Sequence, residues 1–226
     1  MRRVVIPELL DSDAGTPQEI RSALVDLQHI NRWFGGTSTA VSLLRQVAKK
    51  SGLRKLKILD VGAGPGETAI VAAQQLAREG IEVCTTLLDR VQSHLPRNGV
   101  PTVAGDALAL PFTDGSFDAV SSSLFLHHIE PEQIVAAINE ALRVSRVAVV
   151  VNDLHRSAIH LALVYAGLPL FRSRLTWHDA PASVRRAYTT EELRELLRRT
   201  RAAEVAMSRH YLYRVGVIAW KKSAHE

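Results

Sequence analysis

A glycine-rich segment constrains this chain more than any other part of its sequence. Residues 59–68 read Leu-Asp-Val-Gly-Ala-Gly-Pro-Gly-Glu-Thr and join a short apolar run, Lys57 to Val61, to a helical pattern over Glu67 to Arg78. The start of a helix leaves backbone N–H groups unpaired, and glycines let the backbone approach a ligand closely. A strand, a glycine turn and a helix in this order predict a ligand site at the turn.

The spacing of the glycines excludes two common ligand sites. A dinucleotide fingerprint needs a third glycine at the position that Glu67 occupies, and no Gly-Lys-Ser/Thr follows as in a phosphate-binding loop. A nicotinamide reductase is further disfavoured because none of the tyrosines begins a Tyr-x-x-x-Lys sequence. An ordinary glycine-rich turn without a ligand stays open as the alternative.

The segment from Asp60 to Glu67 resembles the first motif of class I S-adenosylmethionine (SAM) dependent methyltransferases. The resemblance implies SAM as cofactor, with S-adenosylhomocysteine as the product that remains after transfer. It also implies that Asp60 serves the ammonium group of SAM and that the turn brings backbone against it. The cofactor-binding positions that it implies in this segment are Asp60, Gly62, Ala63, Gly64 and Glu67.

The ends of the next three predicted strands add polar groups to this site. Asp89 ends the strand Glu82–Asp89, where the resemblance implies contact with the ribose hydroxyls, although an acid there could also cap a helix. Asp106 follows a short strand over residues 101–104, and the resemblance assigns it to the adenine. The remaining candidate cofactor contacts are the neighbours of these carboxylates and the end of the strand Phe117–Ser123: Arg90, Gly105, Ala107, Ser122 and Ser123.

The residues after the fourth strand separate branches of the family. Enzymes that methylate base amino groups usually carry a Pro-Pro pair there, whereas this chain has Ser122-Ser123-Leu124-Phe125. The following Leu126-His127-His128-Ile129 is similar to the branch that includes ubiquinone, menaquinone and polyketide methyltransferases. Relatives commonly have Pro-Gly-Gly where this chain has Val144-Ser145-Arg146. The resemblance implies transfer of methyl to oxygen or carbon of a small, apolar or aromatic acceptor.

The order of patterns predicts a single α/β domain over residues 1–226. Strands and helices alternate, which indicates a doubly wound sheet, and the resemblance adds seven mostly parallel strands with an antiparallel last hairpin. Two helices within residues 1–52 precede the first strand, so we expect them over the site, with Trp33 as a lid or cofactor contact. The apolar segment 154–188 follows the fifth strand, and we assign it to the acceptor pocket; a helix that buries a sheet face is the alternative.

Histidines after the inner strands are the candidates for a catalytic base. His155 lies two residues after Asp153, and in extended chain this spacing would let the carboxylate orient the imidazole. His127 is the second candidate, and we expect that His127 and His128 do not both face the site. His155 could instead cap a helix or face water.

Composition limits the remaining possibilities. The chain has 226 residues and one cysteine, and its Cys and His residues lack zinc-finger spacing, so we expect a protein without a disulfide or metal. Without a signal sequence or an apolar run of about 20 residues, we expect a soluble, cytoplasmic protein. Residues 151–226 carry 13 Lys and Arg against 7 Asp and Glu. We interpret this charge as a solvated helix face rather than a nucleic-acid surface, and keep a nucleic-acid methyltransferase and a non-catalytic SAM-binding protein as alternatives.

Overall fold

A seven-stranded sheet lies at the centre of the computed structural model, which describes residues 1–222. The strand order is β3-β2-β1-β4-β5-β7-β6. The strands are β1 (Lys55–Val61), β2 (Glu82–Asp89), β3 (Thr102–Ala104), β4 (Phe117–Ser123), β5 (Ser145–Leu154), β6 (Glu204–His210) and β7 (Arg214–Trp220). Neighbouring strands from β3 to β5 are parallel, and β7 is antiparallel to β5 and β6. The predicted doubly wound sheet with an antiparallel last hairpin is confirmed.

Helices cover both faces of this sheet. They are α1 (Pro17–Trp33), α2 (Gly36–Ser51), α3 (Glu67–Ala77), α4 (Pro131–Val144), α5 (Ala158–Gly167), α6 (Arg174–Arg186) and α7 (Thr190–Arg198). Side chains alternate along each strand, so Ile58 packs with α2 and α3, whereas the adjacent Leu59 packs with α4 and α7. The two apolar cores therefore lie on opposite sides of the sheet. No helix within residues 1–222 has the length and apolar character needed to cross a membrane.

Only the first of the two N-terminal helices lies over the carboxyl ends of the strands. The start of α1 is fixed by Thr16, whose hydroxyl accepts from the backbone N–H of Glu19 while the Glu19 carboxylate accepts from the N–H of Thr16. Gly35, at φ +81°, then turns the chain directly into α2. The expectation that both helices cover the site is wrong for α2, because its apolar side chains Leu43 and Val47 complete the core on a sheet face.

A layer that we call the cap covers this end of the sheet; it consists of residues 1–12 with α1, α5 and α6. Buried carboxylates connect its parts. Asp26 of α1 accepts from the backbone N–H of Ser173 at 3.0 Å and from the Thr176 hydroxyl at 2.9 Å. Asp179 of α6 accepts from the N–H groups of Leu9 and Leu10 at 2.8 and 3.0 Å. These bonds hold the N-terminal segment and α1 against α6.

Candidate active site

The turn between β1 and α3 requires its glycines for two different reasons. Gly62, Gly64 and Gly66 all have φ between +50° and +73°, a region that L side chains rarely adopt. A Cβ at Gly62 would strike the ring of Phe125, and one at Gly66 would strike Leu87. At Gly64, by contrast, no atom lies within 4 Å of the position of a Cβ. Gly62 and Gly66 therefore permit close packing, while Gly64 leaves open space beside the backbone.

Asp60 is a buried carboxyl group at the end of β1. Its Oδ1 accepts from the Ser121 hydroxyl at 2.5 Å, and the residue is 4% exposed. Burial raises the pKa of Asp60 to about 7, and the single hydrogen bond only partly opposes this effect. A cationic group beside Asp60 would favour its ionised form, so the position suits an ammonium ligand.

Asp89 lies next to the glycine turn, as expected for the end of β2. Its Oδ2 accepts from the N–H of Gly64 at 2.8 Å, and its Oδ1 accepts from the N–H of Val91 at 2.9 Å. The two bonds fix the plane of the carboxylate and leave further lone pairs on both oxygens. Asp106 is exposed after β3, where its Oδ1 accepts from the N–H of Leu108 at 2.8 Å.

The turn and these strand ends open onto a cavity of about 430 Å³ beneath the cap. Eight of the predicted site residues line this cavity: Asp60, Gly62, Ala63, Gly64, Glu67, Asp89, Ser123 and His127. Glu67 is the first residue of α3, and its Oε2 is buried without a hydrogen-bond partner among residues 1–222. Burial raises the pKa of Glu67, an effect opposed by His29 and Arg32. This unpartnered oxygen is available to accept a hydrogen bond from a group in the cavity.

Other predicted site residues lie outside the cavity wall. They are Trp33, Arg90, Gly105, Asp106, Ala107, Ser122 and His155. Trp33 is 56% exposed and stacks on His29 at 4.7 Å, so the structure corrects its placement as a lid. The cavity is lined instead by the adjacent Phe34. The end of α1 turns the two aromatic side chains in different directions, a distinction that the sequence pattern could not make.

The cap supplies an apolar wall to the cavity that is also lined by residues 60–67, which we call the cofactor turn. Leu24, Leu27 and Phe34 come from the first helix of the chain and its end. From the predicted acceptor segment come Leu163, Val164, Gly167, Leu170 and Phe171. Leu161 and Tyr165, which share the other face of α5, do not line the cavity. The expected position of the first helix over the site is thus correct, but Leu24, Leu27 and Phe34 were not among the predicted site residues.

Arg214, at the start of β7, is a second residue that the sequence analysis missed. It is 1% exposed and lines the cavity, and its Nη2 donates to Asn31 Oδ1 at 3.1 Å. Its Nη1 has no hydrogen-bond partner in the part of the chain that the structure describes. Burial lowers the pKa of Arg214 to about 10, so it remains a cation at neutral pH. The only signal in the sequence was a charged residue at the start of an otherwise apolar strand.

The histidines do not follow the predicted arrangement. His127 and His128 lie in one turn after β4, and both line the cavity, which contradicts the expectation that only one would face it. Asp153 contacts His127 rather than His155, with 2.6 Å between His127 Nδ1 and Asp153 Oδ1. Burial alone would lower the pKa of His127, but Asp153 and Glu8 outweigh it and raise the pKa to about 10. At neutral pH His127 is thus a proton donor.

His155 is directed away from the cavity. Its Nδ1 lies 3.3 Å from the Thr190 hydroxyl at the start of α7, and its carbonyl accepts from His160 Nδ1 at 2.9 Å. Burial and the guanidinium of Arg209 lower its pKa. The predicted pairing with Asp153 is wrong because β5 ends at Leu154, so His155 lies beyond the extended strand that the spacing argument assumed.

Comparisons with known proteins agree with this arrangement of turn, strands and cavity. Residues 58–147 match a family model described as a methyltransferase domain. A phosphatidylethanolamine N-methyltransferase of Cereibacter sphaeroides is 29% identical over 157 residues, which cover 66% of this chain and 77% of that protein. A demethylmenaquinone methyltransferase of Beutenbergia cavernae is 40% identical over 93 residues, which cover 40% of this chain and 36% of that protein. The chain thus spans about a third of the second relative's length.

Solved structures share the fold at low sequence identity. The plantazolicin methyltransferase BpumL, in complex with a triazolic desmethylPZN analog and SAH, has a TM-score of 0.67 and 14% identity, and the match covers 95% of both chains. Magnesium protoporphyrin IX methyltransferase from Synechocystis PCC 6803 with bound SAH has a TM-score of 0.55 and 18% identity, and the match covers 83% of this chain and 84% of that one.

Fold, glycine turn and strand-end carboxylates together define the class I SAM-dependent methyltransferase architecture. Residues 58–147 carry a methyltransferase domain, so the chain is a SAM-dependent methyltransferase with S-adenosylmethionine as its cofactor.

Proposed function

We propose that the chain transfers a methyl group from SAM to an oxygen or carbon atom of a small, apolar or aromatic acceptor. The observation that carries the proposal is the continuity between the cofactor turn and the apolar cavity beneath the cap. SAM presents a methyl group on a sulfonium, so it reacts once an acceptor nucleophile is aligned behind that methyl. The bond from the acceptor atom to the methyl carbon forms as the bond from that carbon to sulfur breaks, and sulfur keeps the electron pair. The O–H or C–H proton of the acceptor is released to solvent.

The residues of the turn supply groups that match the ends of SAM. The buried carboxylate of Asp60 would pair with the ammonium group, and the remaining lone pairs of Asp89 would accept from the ribose hydroxyls. The free Nη1 of Arg214 would donate to a carboxylate, for which the methionine end of SAM is the candidate. These contacts hold the cofactor in one orientation.

The cap would contribute alignment and exclusion of water. Leu24, Leu27 and Val164 line the same cavity as the cofactor turn, so an apolar acceptor in contact with them would be held in the cavity that the turn lines. Positioning of two reactants in this way can lower a barrier by up to about 7–11 kcal/mol. Burial of the site also prevents water from competing with the acceptor.

A screen with labelled SAM tests the proposal. Purified protein would be incubated with methyl-labelled SAM and lipophilic phenols, quinols or polyketides, and transfer of label would be measured. In parallel, SAM and S-adenosylhomocysteine should raise the unfolding temperature by mass action, NAD should not, and Asp89→Ala should remove most of the rise. Stabilisation by NAD but not by SAM would contradict the assignment. Binding of SAM without transfer to any acceptor class would favour a non-catalytic SAM-binding protein.

A lipid amine is the second candidate acceptor, because the relative from Cereibacter sphaeroides is named as a phosphatidylethanolamine N-methyltransferase. The screen would therefore include vesicles that contain phosphatidylethanolamine. Transfer of label to the lipid amine, and not to phenols or quinols, would replace oxygen or carbon by nitrogen as the acceptor atom. Oligonucleotide substrates at low and high salt provide the arm for the nucleic-acid alternative.

A further inference from the structure

Three side chains in the cavity wall converge on one point. Glu8 comes from the N-terminal segment, and His127 and His128 come from the turn after β4. One ligand atom from each residue lies within 4.8 Å of the other two. His127 is 2% exposed and Glu8 is 8% exposed, so the group is enclosed by protein on the side away from the cavity. Sequence spacing gave no sign of it, since Glu8 and His127 are more than 100 residues apart.

A carboxylate holds the Nδ1 atom of each imidazole. His127 Nδ1 lies 2.6 Å from Asp153 Oδ1, and His128 Nδ1 lies 3.0 Å from Asp11 Oδ2. A carboxylate accepts, so Nδ1 carries a proton in both rings, and Nε2 is the atom left to bind a ligand. A metal ion bound there would displace the second proton of the His127 imidazolium to solvent. Metal-binding histidines typically donate the N–H that does not face the metal to a carboxylate, which fixes the orientation of the ring. Here both histidines have such a partner.

Both Nε2 atoms are directed at the carboxylate of Glu8. The separations are 3.6 Å from His127 Nε2 to Oε1 and 3.9 Å from His128 Nε2 to Oε2. These separations are longer than a hydrogen bond. They are close to the spacing of about 3.3–3.4 Å between ligand atoms around a tetrahedral ion with bonds of about 2.0–2.1 Å. The third separation, between the ligand atoms of the two imidazoles, is within 4.8 Å, so the three ligand atoms would have to draw closer together around an ion.

The positions of these groups are fixed by further contacts. The Ser183 hydroxyl donates to Glu8 Oε1 at 2.8 Å, and the backbone N–H of His127 donates to Asp153 Oδ2 at 3.3 Å. Arg186 lies 3.5 Å from Asp11 and also donates to the carbonyl of His128. The carboxylates of Glu8, Asp11 and Asp153 give the cluster an acidic character that suits a cation.

We propose that Glu8, His127 and His128 form a binding site for a divalent transition-metal ion of the Zn²⁺ class, oriented by Asp153 and Asp11. Two imidazoles and one carboxylate suit Zn²⁺, Mn²⁺ or Fe²⁺, whereas Mg²⁺ prefers a set of oxygen ligands. All three ligands line the cavity, so the remaining coordination positions of the ion face the space beneath the cap. On the basis of the proposed function, we place an oxygen atom of the acceptor at one of those positions; the metal site itself does not depend on the proposed function.

Metal binding can be measured directly on the full chain. After dialysis against a chelator, calorimetric titration with Zn²⁺ should give one ion per chain, and Mg²⁺ at the same concentrations should give no saturable binding. Glu8→Gln keeps an acceptor for Ser183 but removes the charged ligand, so Zn²⁺ affinity should fall at least about tenfold. His128→Ala should lower it at least about a hundredfold. Asp11→Asn, which acts through His128, should lower it about 10- to 100-fold.

A matched control separates this site from adventitious binding. His178 also has its Nδ1 against a carboxylate, that of Asp179 at 2.8 Å, but it does not line the cavity. His178→Gln should therefore change Zn²⁺ affinity less than about twofold. Co²⁺ added to the unsubstituted protein gives a readout that needs no variant, since its visible absorption bands should appear with one equivalent and disappear when Zn²⁺ displaces it.

The outcomes distinguish this inference from the proposed function. Equal Zn²⁺ affinity in the unsubstituted protein and in Glu8→Gln, or the absence of stoichiometric binding, would overturn the metal site and leave an internal ion-pair network. S-adenosylhomocysteine titrated into metal-free protein tests the cofactor site separately and checks that each variant is folded. Zn²⁺ binding without cofactor binding would uphold the metal site and contradict the proposed function.

Discussion

The cofactor turn and the cap meet across one cavity but are specified in different ways. The turn contains its glycines and first carboxylate within residues 60–67, and Asp89 is added by the strand directly beside β1. The cap depends on contacts between distant segments, such as Asp26 with Ser173 and Asp179 with Leu9. The family match, residues 58–147, includes the turn and excludes α1, α5 and α6. The predicted cofactor turn is therefore specified locally in the sequence, whereas the apolar wall of the cap forms only in the folded chain.

Asp60→Asn should produce the largest effect, a loss of SAM affinity without a loss of acceptor binding. The variant loses a charged partner for the ammonium group of SAM, and hydrogen bonds to charged groups are worth about 1.5–3 kcal/mol. SAM affinity, measured by calorimetry at pH 8, should fall about 10- to 100-fold. In the unsubstituted protein, affinity should decline as pH falls below about 7, because the carboxyl group becomes protonated. An unchanged affinity in Asp60→Asn would remove Asp60 from the cofactor site.

The same variant should stabilise the protein in the absence of cofactor. Because the pKa of Asp60 is raised to about 7 from 3.8, its contribution to stability is fully present below pH 4 and is lost as pH rises through 7. Asparagine avoids this loss, so the unfolding temperature of Asp60→Asn should exceed that of the unsubstituted protein at pH 8. Asp106→Asn is the control, because Asp106 is exposed and offers no such gain.

Val164→Asn, in the cap, should weaken binding of an apolar acceptor, and this effect should be smaller than the effect of Asp60→Asn on SAM affinity. Burial of a Val side chain stabilises by about 1.5–3 kcal/mol, and loss of roughly half of this contact would raise the KM for an apolar acceptor about tenfold. SAM affinity should change less than about twofold. Leu161→Asn is the matched control on the same helix, since Leu161 does not line the cavity. Equal losses of acceptor and SAM binding in Val164→Asn would mean that α5 supports the fold instead of the acceptor.

The difference between turn and cap also explains what the sequence could predict. The strand, turn and helix around the glycines and the positions of Asp60 and Asp89 at strand ends follow from local patterns, and the structure agrees with them. Spacing along the chain can describe such patterns because each depends on a few adjacent residues. The mostly parallel sheet with its antiparallel last hairpin, which the structure also has, was implied by the family resemblance. Ribose contact by Asp89 and adenine contact by Asp106 stay predictions.

Features that depend on distant contacts could not be predicted. Glu8 reaches His127 only because α6 holds the N-terminal segment through Asp179, and no local pattern records that bond. Arg214 enters the cavity because β7 pairs with β5 in a register that places it opposite Leu154. The choice of Phe34 over Trp33 depends on how one helix ends. In each case a side chain acquires its role from a neighbour that is remote in sequence.

His155→Ala should produce the smallest effect, and it tests the one place where spacing suggested a catalytic residue. The sequence placed Asp153 and His155 on one face of an extended strand, but Asp153 contacts His127 and His155 faces Thr190. A residue outside the cavity cannot take a proton from an acceptor within it, so kcat should change less than about threefold and SAM affinity should stay the same. Loss of the Thr190 contact should cost about 0.5–1.5 kcal/mol of stability. A fall in kcat of about a hundredfold with unchanged SAM affinity would restore His155 as the base. It would also mean that the residues directly after β5 turn toward the cavity when the acceptor binds.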